Sequence, residues 1–417
     1  MTEKSLDFHT GVYVGCGASH SWTWFADIFE RCGYYGVSFL SENDIADNAL
    51  DCCDCLFVSG GDTFSIAQGL GRKGADRIGR FVRNGGIYLG ACAGAYLPLK
   101  SSLYPLNMFN FVQARITNLT KNLPDPKTDS DKFCTAYGCS YVFHPVREDI
   151  VIKLVTPDAD TGSITAPLYG GPGIVPSQDV EVLAVYRDFT DRTEFLVDEN
   201  LACDSIIGYA AAVRKRHGKG AFYLFGPHFE HPDYEDANRY LFSIMRTMHG
   251  KAGFTPACVH DKPVTCSTPV SRRVYLDFLK HISNARIVAL ALERTSYTWH
   301  IGRKVYDPEK IRVFIEAVWK RAQALYAGKG HECIPEEKIL PLLKLAAAVN
   351  RDLRLLKRNA GTPQQGEFSA NQLFDNLKEQ TAAFLSLYFM IRRNSLTDDE
   401  RRVTCTYTSK QPQCSIR

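Results

Sequence analysis

Neither a charge excess nor a long apolar run marks this sequence. Its 417 residues carry 49 Lys and Arg against 46 Asp and Glu, a formal net charge of +3. No long basic run occurs, so we expect no nucleic acid and no membrane among its partners. The basic segment RKRHGK at 214–219 is interpreted as a solvated loop or strand end rather than a binding patch. No apolar stretch approaches the roughly 20 residues that a membrane-spanning helix needs.

Signals for export and for metal binding are also weak. The N-terminal segment MTEKSLDFHT lacks the apolar centre of a signal peptide, so we expect a cytoplasmic protein whose 14 cysteines are reduced thiols. Cys52 and Cys55 form one near pair, and Cys134 and Cys139 form another. Neither pair is followed by a well-spaced second pair, so we expect no metal, and a metalloprotein that uses these four thiols is a weaker alternative. A phosphate-binding loop is missing too, and no cofactor is expected.

Short apolar runs dominate the first 250 residues. Five of them are typical of buried strands, namely GVYVG, CLFVSG, GIYLGA, EVLAVY and AFYLFGP, and several end in glycine-rich turns. Helical patterns lie between the earlier runs, at 22–32 and 63–84. This alternation predicts an α/β fold with a mostly parallel sheet that helices flank on both faces.

The remainder of the chain has a different pattern. Proline-rich residues 251–270 are the best linker candidate, and apolar residues then recur at three- and four-residue steps. We therefore predict an α/β domain over 1–250, an all-α helical bundle domain over 271–395 and a flexible tail over 396–417.

The segment GACAG at 90–94 has the spacing of a nucleophile elbow, which holds a Ser or Cys on a tight strand-to-helix turn. Side chains two residues away on either side must be nearly absent there, and Gly90 and Gly94 meet that condition. The start of the following helix would favour the thiolate of Cys92. The alternative is a buried structural cysteine in a turn of small residues.

Two further segments fit nucleophilic chemistry. HFE at 228–230 follows the strand-like AFYLFGP, and a cysteine nucleophile needs a histidine base that a carboxylate orients. His228 and Glu230 supply both residue types. In VSGGDTF at 58–64, Gly60 and Gly61 leave backbone amides unobstructed, as an oxyanion site requires. The same turn also suits an ordinary helix start with Asp62 as its N-cap.

These three motifs, in this order, resemble the class I glutamine amidotransferase-like superfamily, which has a flavodoxin-like fold, over about residues 8–248. Within it, GACAGAY, YGGPGIV at 169–175 and FGPHFEH look most like the N-terminal domain of biotin protein ligases and its stand-alone microbial forms. The resemblance implies a Cys92–His228–Glu230 triad. It also implies an oxyanion hole from Ala93 with Gly60 or Gly61. Residues expected at the substrate pocket are Asp62, Tyr96, Gly170 and Gly171.

The sequence departs from the family pattern at one informative position. Tyr96 stands where the amidotransferases usually carry Gln or His, which argues against ordinary glutamine chemistry. The expected function is thus a cysteine-dependent amidase or amidotransferase-like hydrolase acting on a small-molecule carboxamide or related acyl group. The alternative is a catalytically inactive ligand-binding or assembly protein whose helical domain binds a partner. A separate ammonia-accepting protein and a homodimer both remain open.

Overall fold

A central β-sheet with helices around it forms the first part of the chain, and long helices form the last part. The structure is a computed structural model, and it describes residues 8–123, 141–155, 162–249, 268–295, 297–359 and 363–395. An α/β fold with a C-terminal helical region is therefore confirmed. The boundaries between domains stay predictions. Most of the expected linker, the whole tail from 396, and both Cys134 and Cys139 lie outside the described residues.

The strands supply the frame of the site. They are β1 (Thr10–Tyr13), β2 (Val37–Leu40), β3 (Cys55–Val58), β4 (Ile87–Ala91), β5 (Ala114–Ile116), β6 (Val146–Arg147), β7 (Asp149–Leu154), β8 (Ser163–Pro167), β9 (Ile174–Pro176), β10 (Glu181–Phe189), β11 (Glu194–Phe195), β12 (Ala210–His217), β13 (Gly220–Phe225), β14 (Trp299–Ile301) and β15 (Lys304–Tyr306). Within the described residues the main sheet runs β2-β1-β3-β4-β13-β12-β10-β7-β8, with β5 and β9 attached beside β12.

Only half of this sheet is parallel. Strands β2, β1, β3, β4 and β13 pair in parallel, with Leu89 opposite Phe57 on one side and Tyr223 on the other. From β13 onward, β12, β10, β7 and β8 pair antiparallel. The sheet is therefore mixed, whereas a mostly parallel one was expected. The basic segment at 214–219 forms the end of β12 and the turn into β13, as the strand-end interpretation stated.

The helices cover the sheet and then continue beyond it. They are α1 (Trp22–Arg31), α2 (Glu42–Ala46), α3 (Thr63–Arg83), α4 (Ala93–Tyr96), α5 (Glu199–Ile206), α6 (Glu235–His249), α7 (Arg272–Leu292), α8 (Pro308–Ala327), α9 (Glu336–Asn359) and α10 (Pro363–Ser395). Helix α3 begins at the predicted residue because Asp62 accepts hydrogen bonds from the backbone N–H groups of Phe64 and Ser65, at 3.0 and 3.2 Å.

The C-terminal helices pack directly on the α/β part. Phe389 of α10 packs its ring against Phe39 of edge strand β2, at 5.6 Å between centroids, so the helix covers that edge. Arg321 of α8 is only 1% exposed and reaches Asp27 and Glu30 of α1, at 2.7 and 2.9 Å. Most buried apolar residues of both parts form one continuous core, and Leu123 and Phe143 form a small separate cluster. The helical region is thus positioned to contribute to a site on the sheet.

Candidate active site

The carboxyl ends of the parallel strands gather the candidate residues at one edge of the sheet. Parallel strands all end on the same side, where α/β proteins bind their ligands. Ser59 follows β3, Cys92 follows β4, and His228 lies just beyond β13. The three segments are far apart in sequence, and this topology brings them together.

Cys92 occupies a strained turn between β4 and α4. Its φ of 51° and ψ of −110° lie outside the regions that L-residues ordinarily adopt. A Cβ placed on Gly90 would lie 2.1 Å from the carbonyl oxygen of Gly94, and one on Gly94 would lie 1.9 Å from that of Val58. Only glycine fits at both positions. The turn therefore has the geometry of a nucleophile elbow, with glycine two residues before and two residues after Cys92.

His228 is held by a buried carboxylate. Its Nδ1 lies 2.7 Å from Glu230 Oε1, and the two side chains are 3% and 1% exposed. The Ser59 hydroxyl donates to the same carboxylate oxygen at 2.7 Å and lies 2.8 Å from the hydroxyl of Ser21. These two serines were not predicted. Ser59 stood in the quoted SGG turn, but nothing in the sequence indicated that it would reach Glu230, 171 residues further along.

Cys92 and His228 line the same cleft, and their interaction moves both pKa values. The Cys92 thiol itself donates a hydrogen bond to the carbonyl oxygen of Tyr169, at 3.6 Å. Burial alone would raise the pKa of the Cys92 thiol, but the interaction with His228 and the positive charges of His228 and Lys304 lower that pKa below its ordinary value. Burial would lower the pKa of His228, yet the Glu230 carboxylate and the Cys92 thiolate raise it to about 10. Both shifts favour the thiolate–imidazolium pair over the neutral thiol and imidazole.

Backbone amides suited to an oxyanion border the same space. Gly61 and Ala93 line a small pocket with Cys92, and Ala93, as the first residue of α4, has an N–H that no carbonyl four residues back can accept. Gly60 lies against the imidazole, since a Cβ there would be 2.8 Å from His228 Cε1. A Cβ on Gly61, whose φ is +153°, would approach the carbonyl oxygen of Gly17 to 2.1 Å. Both glycines are thus sterically required.

Tyr96 and its neighbours tie the elbow to a facing loop. The Tyr96 hydroxyl is 3.0 Å from the carbonyl oxygen of Gly170 and accepts a hydrogen bond from Asn118 Nδ2 at 2.7 Å. Gly170, at φ +83°, leaves room for His144, whose Nε2 would lie 2.1 Å from an added Cβ. Tyr96 and Gly170 line the small pocket. Gly171 packs against Gly226 and lines neither that pocket nor the larger cleft beside Cys92.

A β-hairpin from the C-terminal part reaches over the site. It consists of β14 and β15, and the backbone N–H of Arg303 at its turn donates to Asp62 Oδ2 at 2.8 Å. The Arg303 guanidinium lies 4.0 Å from the centre of the Phe64 ring. Asp62 lines the small pocket as expected, but its two oxygens are engaged in capping α3 and anchoring the hairpin.

The hairpin was missed in the sequence. Alternating apolar residues on either side of Gly302 and Arg303 are a recognisable hairpin signal. That signal is local, however, and gives no indication that the turn would lie against Asp62, some 240 residues earlier.

Two cavities meet at Cys92. The smaller has a volume of about 20 Å³, enough for roughly one water molecule. The larger is a cleft of about 440 Å³, within the range of small-molecule sites. Cys92, Gly61 and Lys304 line both, whereas His228 lines the larger one only. A substrate that meets both Cys92 and His228 must therefore enter through the larger cleft.

One family model matches part of this chain. Residues 11–108 match the family described as biotin-protein ligase, N terminal. The matched segment contains the elbow and the SGG turn, and it ends before His228. No curated protein matches the sequence.

Solved structures resemble the chain only distantly. A cytoplasmic protein of Salmonella typhimurium is 12% identical, with 57% of this chain and 98% of that chain covered and a TM-score of 0.35. A second cytoplasmic protein of that organism is 12% identical, with coverages of 58% and 99% and a TM-score of 0.33. The β-galactosidase of Rahnella sp. R3 is 13% identical, covers 57% of this chain and has a TM-score of 0.33. This chain spans about a third of the length of that β-galactosidase and of two related ones.

Neither a membrane-spanning helix nor a metal-binding cluster occurs in the described residues. None of the helices there has the length and apolar character needed to cross a bilayer. No group of three His, Cys, Asp or Glu side chains in those same ranges is arranged to hold a metal ion.

Proposed function

We propose that this chain is a cysteine-dependent amidase or amidotransferase-like hydrolase with Cys92 as nucleophile, His228 as acid and base, and Glu230 as the residue that orients His228. One observation carries the proposal. Cys92 stands at positive φ on a glycine-flanked turn and lines one cleft with His228, whose Nδ1 is 2.7 Å from a buried carboxylate. A merely structural cysteine would need neither the strained turn nor the imidazolium partner.

The first half of the reaction follows from the geometry. The Cys92 thiolate attacks the carbonyl carbon of a carboxamide, and the carbonyl oxygen becomes an oxyanion that the amides of Ala93 and Gly61 or Gly60 stabilise. His228 then gives its Nε2 proton to the leaving nitrogen. Ammonia or an amine departs, and an acyl thioester remains on Cys92.

Water completes the cycle. The neutral His228 takes a proton from water, whose oxygen attacks the thioester carbon, and the second tetrahedral intermediate collapses to a free carboxylic acid and the Cys92 thiolate. Glu230 keeps its charge throughout and stabilises the imidazolium each time it forms. Ser59 fixes the direction of that carboxylate through its hydrogen bond at 2.7 Å.

The proposal extends to the family, the substrate and the cellular location of this protein. The motif order, together with the family match over 11–108, supports a class I glutamine amidotransferase-like fold and a place close to the biotin protein ligase N-terminal domains. The Tyr96 hydroxyl is occupied by Asn118 and Gly170, which supports a substrate other than glutamine. We place the protein in the cytoplasm, and any acceptor of released ammonia on a separate protein.

Ammonia release from small primary carboxamides tests the proposal. The wild-type chain and its Cys92→Ala and Cys92→Ser variants are compared on a panel with and without a carboxylate, glutamine and asparagine included. We expect turnover of at least one compound by the wild type and none by either variant, with far-UV circular dichroism unchanged. Turnover that survives in both variants would remove Cys92 from the mechanism. No turnover by the wild type on a broad panel would favour the inactive ligand-binding alternative.

A further inference from the structure

Trp24 of α1 packs against the imidazole of His228. The centroids of the two rings lie 5.3 Å apart and their planes stand at 87°, which is an edge-to-face arrangement. Trp24 is 8% exposed and lines the larger cleft together with His228 and Cys92. The indole therefore contacts the ring that is proposed to move protons to and from Cys92.

Three further neighbours restrict the same imidazole. Glu230 holds its Nδ1 at 2.7 Å, and the ring of Tyr169 lies 5.6 Å away between centroids. Gly60 lies so close that an added Cβ would be 2.8 Å from Cε1 of His228. A hydrogen bond at Nδ1 still tolerates some tilt of the ring, whereas side chains packed against it restrict that tilt. Because Glu230 engages Nδ1, Nε2 is the nitrogen left for Cys92, and its direction depends on the tilt.

Trp24 is itself held by its neighbours. Its indole lies 4.5 Å from the ring of His231 and 5.2 Å from that of His20, both between centroids. Its helix is fixed by α8, whose buried Arg321 reaches Asp27, about one turn after Trp24, at 2.7 Å. A side chain locked by its own neighbours can hold a catalytic group in one orientation.

The other rings around Trp24 carry no charge above pH 7. Burial lowers the pKa of His20 to about 3 and also lowers the pKa of His231, so both imidazoles are neutral there. Tyr169, 6.3 Å from Trp24 between centroids, keeps its proton because burial raises the pKa of its hydroxyl. Of these four rings, His228 is thus the one that titrates between pH 8 and pH 10.5, with a pKa of about 10. The charged side chains that act on the four rings include Glu230, Glu148, Asp233, Asp307, Lys310 and Arg147.

We propose that Trp24 is a positioning residue for His228, whose imidazole it holds in the orientation that aims Nε2 at the thiol of Cys92. This inference rests on the proposed role of His228 as acid and base, and it adds the side chain that orients that residue. A displacement of a catalytic group by about 1 Å can cost roughly a hundredfold in rate. The indole thus contributes to the reaction through His228 and not through the reacting atoms.

The pH profile of Cys92 alkylation by iodoacetamide, followed on the full-length protein, tests the inference. Trp24→Met replaces the indole with a flexible apolar side chain, whereas Trp24→Phe keeps a ring. We expect the acid limb of Trp24→Met to move up by about one pH unit, so that its rate at pH 6 falls roughly tenfold, because a displaced imidazolium stabilises the thiolate less. Trp24→Phe should keep most of the wild-type rate. The comparison is repeated in a His231→Gln background, which excludes a contribution from that imidazole.

Trp22→Met is the matched control. Trp22 lies on the same helix and is fully buried, but its ring packs against Phe39 and Phe314. This variant should also lower the free energy of unfolding, and it should leave the acid limb of Cys92 in place. An equal shift in Trp22→Met and Trp24→Met would assign the effect to the packing of α1 as a whole and overturn the inference.

Fluorine NMR of the wild-type chain labelled with 5-fluorotryptophan tests the contact without a change of packing, and it decides the inference if Trp24→Met does not fold. The chain has four tryptophans, and the Trp24 resonance is assigned by its absence from Trp24→Phe. We expect that resonance to follow the deprotonation of His228 between pH 8 and pH 10.5, and the Trp22 resonance to stay in place. A Trp24 resonance that does not move in this range overturns the inference.

The outcomes separate this inference from the proposed function. If Cys92 of the wild type reacts at pH 6 no faster than exposed Cys203, the proposed function fails. A reactive Cys92 with the same profile in the wild type and in folded Trp24→Met overturns the role of Trp24 and spares the nucleophile. The fluorine measurement does not depend on the reactivity of Cys92, so it tests the contact with His228 by itself.

Discussion

Replacing Glu230 with glutamine should weaken the thiolate–imidazolium pair but keep a hydrogen bond from His228 Nδ1 to residue 230. Glutamine keeps an oxygen that accepts from His228 Nδ1, so the imidazole stays oriented, but the negative charge 2.7 Å away is lost. A carboxylate this close to a buried imidazolium is worth about 1.4 to 4 kcal/mol. In the Glu230→Gln variant the equilibrium constant between the reactive ion pair and the neutral pair should therefore fall at least tenfold.

The sign of the pH effect follows from the two shifted groups. In the wild type the pair exists above the pKa of Cys92, which is lowered, and below that of His228, which is about 10. Loss of the Glu230 charge lowers the pKa of His228, and a neutral imidazole stabilises the thiolate less than an imidazolium does. This effect raises the pKa of Cys92 and opposes the smaller direct effect of Glu230, whose charge itself raises that pKa. Because the titrations of Cys92 and His228 are coupled, the pH range in which the ion pair predominates becomes narrower at its acid end and at its alkaline end.

The assay is the pH profile of Cys92 alkylation by iodoacetamide, followed on the Cys92 peptide from pH 5 to pH 9. We expect the acid limb of Glu230→Gln to move to higher pH and its rate at pH 6 to fall at least tenfold. Glu235→Gln, on the exposed face of α6, serves as the matched control with an unchanged profile. An unchanged acid limb in a folded Glu230→Gln protein would refute the electrostatic role of this carboxylate.

Three substitutions test the framework around the site, each followed by urea denaturation. Gly94→Ala forces a Cβ to within 1.9 Å of the Val58 carbonyl oxygen and should lower the free energy of unfolding by about 1–3 kcal/mol or more. Tyr96→Phe removes the hydroxyl bonded to Asn118 and should cost about 1–3 kcal/mol, because a buried amide loses one of its two hydrogen-bond acceptors. Arg321→Met leaves two carboxylates of α1 without their buried cation and should cost about 1–3 kcal/mol.

Each of the three substitutions has a matched control at an exposed or unobstructed position. Gly162→Ala adds a Cβ that meets nothing within 4 Å. Tyr104→Phe changes a side chain that is 74% exposed, and Arg216→Met removes an exposed arginine of β12. These controls should stay within about 0.5 kcal/mol of the wild type. A site variant as mild as its control would contradict the contact that the structure assigns to it.

Local signals in the sequence predicted much of the fold near the site. Asp62 caps α3 through its own side chain, so the start of that helix could be predicted from adjacent residues. Gly90 and Gly94 indicated the elbow for the same reason, since the steric limits act within five residues. The strand runs before Cys92 and before His228 were correct, because buried parallel strands are apolar throughout.

Long-range contacts account for what was missed. Strands β7 and β8 pair antiparallel through residues such as Ile150 and Ala166, and no local pattern fixes that partnership. The hairpin signal around Gly302 does not encode its docking on Asp62. Ser59 reaches Glu230 only because β3 and β13 both flank β4 in the folded sheet.

The central claim is that folding turns Cys92 into an activated nucleophile, and one measurement tests it most directly. Iodoacetamide labelling at pH 6 is compared, cysteine by cysteine, between the native protein and the protein unfolded in urea. Cys92 should react faster in the native state although it is buried, since its pKa is lowered there. Cys53 and Cys55, whose pKa values burial raises, should react more slowly in the native state. If Cys92 behaves like Cys53 and Cys55, the account of this site is contradicted.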